Sequence, residues 1–248
     1  MDIKDDNLDE KDFIRRKKGV KYNMTMLWIP SCKHKFSKRT NLWKAIENIK
    51  YDVVYVKSKD GKLEEDDSFQ NEEVVGFYDY LFRDDNIRWM VMLIIDYGKP
   101  NQRVIGYIYN ILHSNNYDSV DNIKSCNIVT GDKYKAYVGQ IHITPSFWGM
   151  GLCKKMMKYN LKKFKNISEI KEIYLKNDGG ENALFCYINA GKKAKLPMKI
   201  RVGDSFTPFT VKGKDKFKRY SRYFPDSNIN ANISSNMVPH DIKYILER

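Results

Sequence analysis

The sequence predicts a mixed α/β (α+β) domain in which helices pack against a largely antiparallel sheet. Two observations carry this expectation. Short apolar runs rich in Ile, Val and Tyr outnumber the stretches with helical spacing. Their order reads strand, two helices, three strands, helix, strand, helix, two strands, and it includes a hairpin. With 248 residues, 42% of them hydrophobic, the chain can bury one large core. One folded domain over residues 21–225 is expected, preceded by a charged leader (1–20) and followed by a polar tail (226–248).

Taken in order, MDIKDDNLDEKDFIRRKKGV is mostly charged and reads as a flexible leader without a secretory signal. TMLWI (25–29) is a short strand closed by Pro30. Ser37 caps a helix to about Ile49, because Leu42, Trp43, Ile46 and Ile49 recur at spacings of three and four. After a polar, acidic connection, NEEVVGFYDYLF (71–82) reads as a second helix. IRWMVMLIID and QRVIGYIYNIL are strands joined through YGKPN as a hairpin. Residues 113–134 are rich in Asn, Asp and Ser and form a long loop. A strand over Ala136 to Ile143 leads into a helix from about Met150 to Lys165. EIYLK is a further strand, and ENALFCYINA a helix stopped by Gly191, a residue suited to the left-handed position past a helix end. MKIRV and KFKRYSRYF read as the last strands, and HDIKYILER as a short terminal helix.

Four cysteines, Cys32, Cys126, Cys153 and Cys186, lie far apart and form no C-x-x-C pair. The expectation is reduced thiols in a cytoplasmic protein, with no disulfide framework and no bound metal. No stretch is long and apolar enough for a membrane helix, so no membrane partner is expected. The net charge of +13 favours an anionic ligand, but it is uneven. Residues 60–96 hold eleven acidic and three basic side chains, a net of −8 that leaves +21 on the remainder.

The stretch IHITPSFWGMGLCKKMMKYNLKKFKN (141–166) carries the chemistry. A strand ends at a proline and feeds a helix that starts on Gly149 and Gly151. The first N–H groups of a helix lack internal partners and sit at the positive end of its dipole, so they bind anions where no bulky side chain blocks approach. Leu152, Cys153, Met156, Met157, Leu161 and Phe164 fall on one side of the helix, and Lys154, Lys158, Lys162 and Lys165 on the other.

These residues resemble the acyl-CoA pyrophosphate loop of the GNAT superfamily of N-acyltransferases. Ile141 and Ile143 stand at its strand positions, Pro145 at its proline, Trp148 at its Gln/Arg position, Gly151 at its central glycine and Cys153 at its final small residue. QRVIGYIY, with Gly106, and ENALFCYINAGKK, with Ala183, Tyr187 and Gly191, are similar to two further segments in the same order. Gly180 stands where the family usually has asparagine, with Asn177 and Asn182 nearby. The resemblance implies a GNAT-like sheet whose central strands splay apart around a pantetheine arm. It implies acetyl-CoA as acyl donor and an amine-bearing small molecule or peptide as acceptor. Residues Ile141, His142, Ile143, Trp148, Gly149, Met150, Gly151, Leu152, Cys153, Lys154 and Asn182 would bind the donor.

By the same resemblance, Tyr187 lies near the thioester sulfur, where a phenol can protonate the leaving thiolate. The family's strand glutamate is missing. His142, which shares a strand face with Gln140, is the candidate base, with an ordinary pKa near 6.5. Other readings stay open: a buried core tyrosine, a strand histidine that only hydrogen-bonds, a CoA-binding fold without catalysis, a longer-chain acyltransferase similar to N-myristoyltransferases, and a basic nucleic-acid-binding module. The last is suggested by Lys192, Lys193, Lys195, Lys199 and Arg201. A homodimer is compatible with the sequence.

Overall fold

A computed structural model describes residues 9–29, 55–57, 63–65, 87–113, 133–177, 180–202, 205–209 and 241–246. The helices expected over 37–49 and 71–82, the strand expected over 216–224 and most of the 113–134 loop lie outside the described residues.

Among the described residues, the core of the fold is a nine-stranded sheet with two helices. Its strands are β1 (Asp9–Lys17), β2 (Val20–Ile29), β5 (Ile87–Ile95), β6 (Arg103–His113), β7 (Tyr134–Ile143), β8 (Ile170–Lys176), β9 (Met198–Val202), β10 (Ser205–Phe209) and β11 (Asp241–Ile245). They lie in the order β1-β2-β5-β6-β7-β8-β11-β9-β10. The β7–β8 pair is parallel and the other neighbours are antiparallel, as the sequence led us to expect. A small hairpin of β3 (Tyr55–Lys57) and β4 (Leu63–Glu65) falls within the acidic connection.

The hairpin β5–β6 is as predicted. Asp96 (φ 49°) and Gly98 (φ 78°) take the left-handed positions of its turn. The Asp96 carboxylate accepts from Lys99, Asn23 and Asn101. Hydrogen bonding from Lys99 leads the causes that hold its pKa below the ordinary value.

The parallel β7–β8 crossover is helix α1 (Leu152–Phe164). Its apolar side chains Leu152, Met156, Met157, Leu161 and Phe164 are buried against the sheet, each contributing roughly 1.5–3 kcal/mol. Trp28 and Trp89 meet the Phe164 ring edge-on at 5.4 and 5.1 Å. Asn160 is also buried, a feature the apolar pattern does not show. It exchanges two 2.9 Å hydrogen bonds with Asn110 on β6, and Asn110 also donates to the Trp89 carbonyl. Both amides are thereby satisfied without water.

Four expectations are corrected. The charged leader is largely β1, an edge strand paired along its length with β2. Its alternation of Phe13, Arg15 and Lys17 with Ile14 and Arg16 matches a half-buried strand, but high charge hid the period. The terminal segment is strand β11, not a helix. Asp241 to Ile245 pair with β8, and Tyr244 is fully buried. Gly191 does not stop its helix, because α2 runs from Gly180 to Ala194 and Lys195 takes the positive φ (56°). The glycine serves packing: a Cβ there would lie 2.5 Å from Met198 Sδ and 2.7 Å from the Tyr244 ring. Finally, Cys153 and Cys186 are not free thiols. They form a disulfide between α1 and α2, with Cα atoms 6.1 Å apart. No short motif announces the pair because 33 residues separate them and only helix packing brings them together.

Candidate active site at the parting of two strands

β7 and β8 pair from Tyr134↔Ile170 to Val138↔Leu175. There they part. β7 continues to Ile143 against β6 alone, with Gly106 opposite Ile143. A cleft of about 940 Å³ opens where the pairing ends. Two glycines shape the strands around it. At Gly139 a Cβ would fall 1.9 Å from the Tyr109 ring, and at Gly106 2.7 Å from the His142 carbonyl oxygen. Only glycine lets these backbones and rings approach so closely.

The cleft runs between the loop after β7 and helix α2. Ile141, Ile143, Trp148, Gly149, Gly151, Cys153 and Lys154 line one side, and Cys186 and Tyr187 belong to the other. After β7, residues Pro145–Phe147 form a single 3-10 turn. Gly149 (φ 80°) and Gly151 (φ 68°) then take left-handed conformations that turn the chain into α1. Among the described residues, the N–H groups of 149–154 have no main-chain acceptor. A Cβ added at either glycine would meet nothing within 4 Å, so this end of the helix is open. No acidic residue lies in the first turn. The donors, the dipole and the access together fit an anion such as a diphosphate.

The surroundings are basic as well as open. Lys155 Nζ rests 3.2 Å from the centre of the Phe13 ring. Burial, followed by Arg15, Lys11 and Lys158, lowers its pKa to about 8.

The structure places the predicted residues unequally. Tyr187 is almost buried in the cleft wall, and its main-chain oxygen accepts from Tyr244. Trp148 is 60% exposed, and its indole N–H donates to the Ile143 carbonyl at 2.6 Å. That carbonyl therefore already accepts one hydrogen bond and keeps one lone pair for a further donor. Met150, Leu152 and His142 do not line the cleft; Leu152 is core. The side chain of Asn182 lies outside the described residues.

His142 sits on β7 with its ring stacked on Tyr107 at 5.4 Å, and Tyr107 in turn donates to Gln140 Oε1. Gln140 does line the cleft, and His142 is linked to it through Tyr107 by one stacking contact and one hydrogen bond. Burial lowers the His142 pKa below 6.5, which keeps the ring neutral. Burial likewise pushes the Tyr107 phenol far above its ordinary value, so Tyr107 acts as a hydrogen-bond donor rather than an acid.

Sequence reasoning missed Tyr109, Phe147, Phe185 and Asn189 as lining residues. The sequence signal for Tyr109 is the glycine at 139, where a Cβ would meet the Tyr109 ring. Among the described residues no cluster of His, Cys, Asp and Glu is arranged to hold a metal, and no helix is long and apolar enough to cross a membrane.

No curated protein matches the chain by sequence. Among solved structures, an insect protein named an arylalkylamine N-acetyltransferase, from the yellow fever mosquito Aedes aegypti, is 9% identical, with a TM-score of 0.45 over 97% of this chain and 96% of that one. A spermidine N-acetyltransferase chimera from Vibrio cholerae and hSSAT is 14% identical, with a TM-score of 0.40 over 90% and 95%. Arabidopsis thaliana NAA60, in complex with a bisubstrate analogue, is 14% identical, with a TM-score of 0.36 over 49% and 68%. These likenesses are too distant to assign a substrate. The acetyltransferase (GNAT) family model matches residues 51–188, more than half of the chain and including β5 to β8, the glycine loop and Tyr187, and the chain therefore belongs to the GNAT acetyltransferase family.

Proposed function

We propose that the protein is an N-acetyltransferase that moves an acetyl group from acetyl-CoA to a primary amine by direct attack in a ternary complex. One observation carries the reading. The gap that opens beyond Val138 and Leu175 leads from free helix-terminal amides to Tyr187. Its lining combines helix-terminal amides and Lys154 with the apolar Val138, Ile141 and Leu175, the two kinds of surface that a diphosphate linked to a pantetheine arm requires.

Each residue then has a defined task. The amides of 149–154 and Lys154 hold the diphosphate, and Ile141, Val138 and Leu175 flank the arm with apolar surface. The thioester supplies an activated acyl carbon. The amine nitrogen forms the new C–N bond as the C–S bond breaks, and the Tyr187 hydroxyl gives its proton to the departing sulfur. His142 takes the proton of the amine through water, since it does not line the cleft. Cys153 and Cys186 are tied to each other, so a covalent acyl-cysteine route is not used.

The acceptor class is a small amine or a peptide amine. The acidic segment over 60–96 would attract a cationic acceptor. Calorimetry with acetyl-CoA, followed by release of free CoA against polyamines, amino acids, aminoglycosides and lysine peptides, tests the proposal. Stoichiometric micromolar binding and amine-dependent thiol release support it. Binding without thiol release leaves a CoA-binding fold alone. No CoA binding, with steeply salt-dependent oligonucleotide binding instead, refutes it.

A further inference from the structure

We infer that Lys17, the last residue of β1, is a positioning residue that aims the amides of the glycine loop at the anionic end of the donor, an inference that rests on the reading of the cleft as a CoA site. Lys17 Nζ donates to the carbonyl of Ser146 at 2.6 Å and to that of Trp148 at 3.2 Å. One ammonium has three protons, enough to hold both oxygens. Such charge-assisted bonds are the stronger kind.

The consequence follows from the planar trans peptide, in which a carbonyl and the next N–H point in opposite directions. Holding the Trp148 oxygen toward β1 turns the Gly149 N–H away from β1, and Gly149 lines the cleft. Gly149 needs such a hold. Its φ of 80° sits in a region that glycine leaves as readily as it enters, so the 148–149 peptide would flip at little cost. A flipped peptide would present a carbonyl oxygen to a diphosphate in place of a donor.

The same hairpin supports the loop at a second point. Buried Phe147 meets the Tyr22 ring of β2 edge-on at 5.3 Å, and the Arg103 guanidinium of β6 stands 5.6 Å from the centre of the Phe147 ring. The Trp148 indole bond to Ile143 ties the loop back to β7. The Lys17 contact is polar and is made by an N-terminal segment outside the region that matches the family.

The test uses the full chain as wild type, Lys17→Met and Lys17→Arg. Calorimetry with CoA, steady-state kinetics with acetyl-CoA and an accepted amine, and thermal melting are read together. Lys17→Met is expected to weaken CoA binding about tenfold, equivalent to about 1.4 kcal/mol. The KM for acetyl-CoA should rise in parallel while kcat at saturation stays within about twofold, because the loop can still be closed by bound donor. Lys17→Arg should recover most of the affinity, and both variants should melt within about 2 °C of wild type, since an exposed contact contributes little to global stability. Wild-type binding with unchanged Lys17→Met affinity overturns this inference alone, as does a variant whose kcat and melting temperature fall together. Wild-type protein that binds no CoA overturns the functional reading and this inference with it.

Discussion

Breaking the Cys153–Cys186 bond should loosen the protein measurably. The bond closes a loop of 33 residues that contains most of α1, all of β8 and the first half of α2. Chain-entropy arithmetic for a loop of that size gives a stabilisation of about 3.5–4 kcal/mol, through restriction of the unfolded chain. For a protein of this length each kcal/mol moves the midpoint by about 2–4 °C, so loss of the bond lowers Tm by about 7–15 °C. The assay is thermal unfolding of wild type with and without dithiothreitol, beside Cys186→Ser without it. Alkylation of the denatured, unreduced protein should find two fewer thiols than alkylation after reduction. The reduced wild type and Cys186→Ser should melt together, well below the oxidised form. Four free thiols in the unreduced protein, or a shift under about 2 °C, would refute the reasoning.

Further outcomes concern the cleft and its walls. Tyr187→Phe should lower turnover at least about tenfold with acyl-CoA affinity nearly unchanged, if the phenol protonates the thiolate; unaltered turnover removes the role. Gly139→Ala puts a methyl where the Tyr109 ring now lies, so the ring must move into the cleft. The KM for acetyl-CoA should then rise and stability fall by about 1–3 kcal/mol. Gly191→Ala collides with Met198 and Tyr244 in the core, and chemical denaturation should show a loss of about 1–3 kcal/mol without loss of CoA affinity. Burial holds the His142 pKa below 6.5, so the folded state binds that proton less readily than the unfolded chain. Stability from this group is therefore complete above pH 6.5 and declines as pH falls toward the lowered folded value. The acid limb of the rate profile should likewise lie below pH 6.5 and vanish in His142→Ala. A limb above that value, or one that survives the substitution, excludes His142 as the base.

The sequence by itself determined the architecture around the site. Apolar runs on either side of YGKPN marked β5 and β6, alternation marked β7, the three-and-four spacing of Leu152, Met156, Met157, Leu161 and Phe164 marked α1, and Gly149 with Gly151 marked an open helix start. These are local properties, set by periodicity and by the conformations a residue type can adopt. Tertiary structure alone decided the rest. The charged opening became β1 because an edge strand needs only one buried face and one partner, so its composition carries little signal. The final segment became β11 because β8 and β9 leave a place between them that 3.6-residue periodicity cannot reveal. Gly191 proved to be a packing residue, His142 fell outside the cleft lining, and Cys153 found Cys186, since each depends on which elements meet across many residues. Contacts of that kind arise from the packing of whole elements, whereas sequence patterns report only what a chain segment does with its own neighbours.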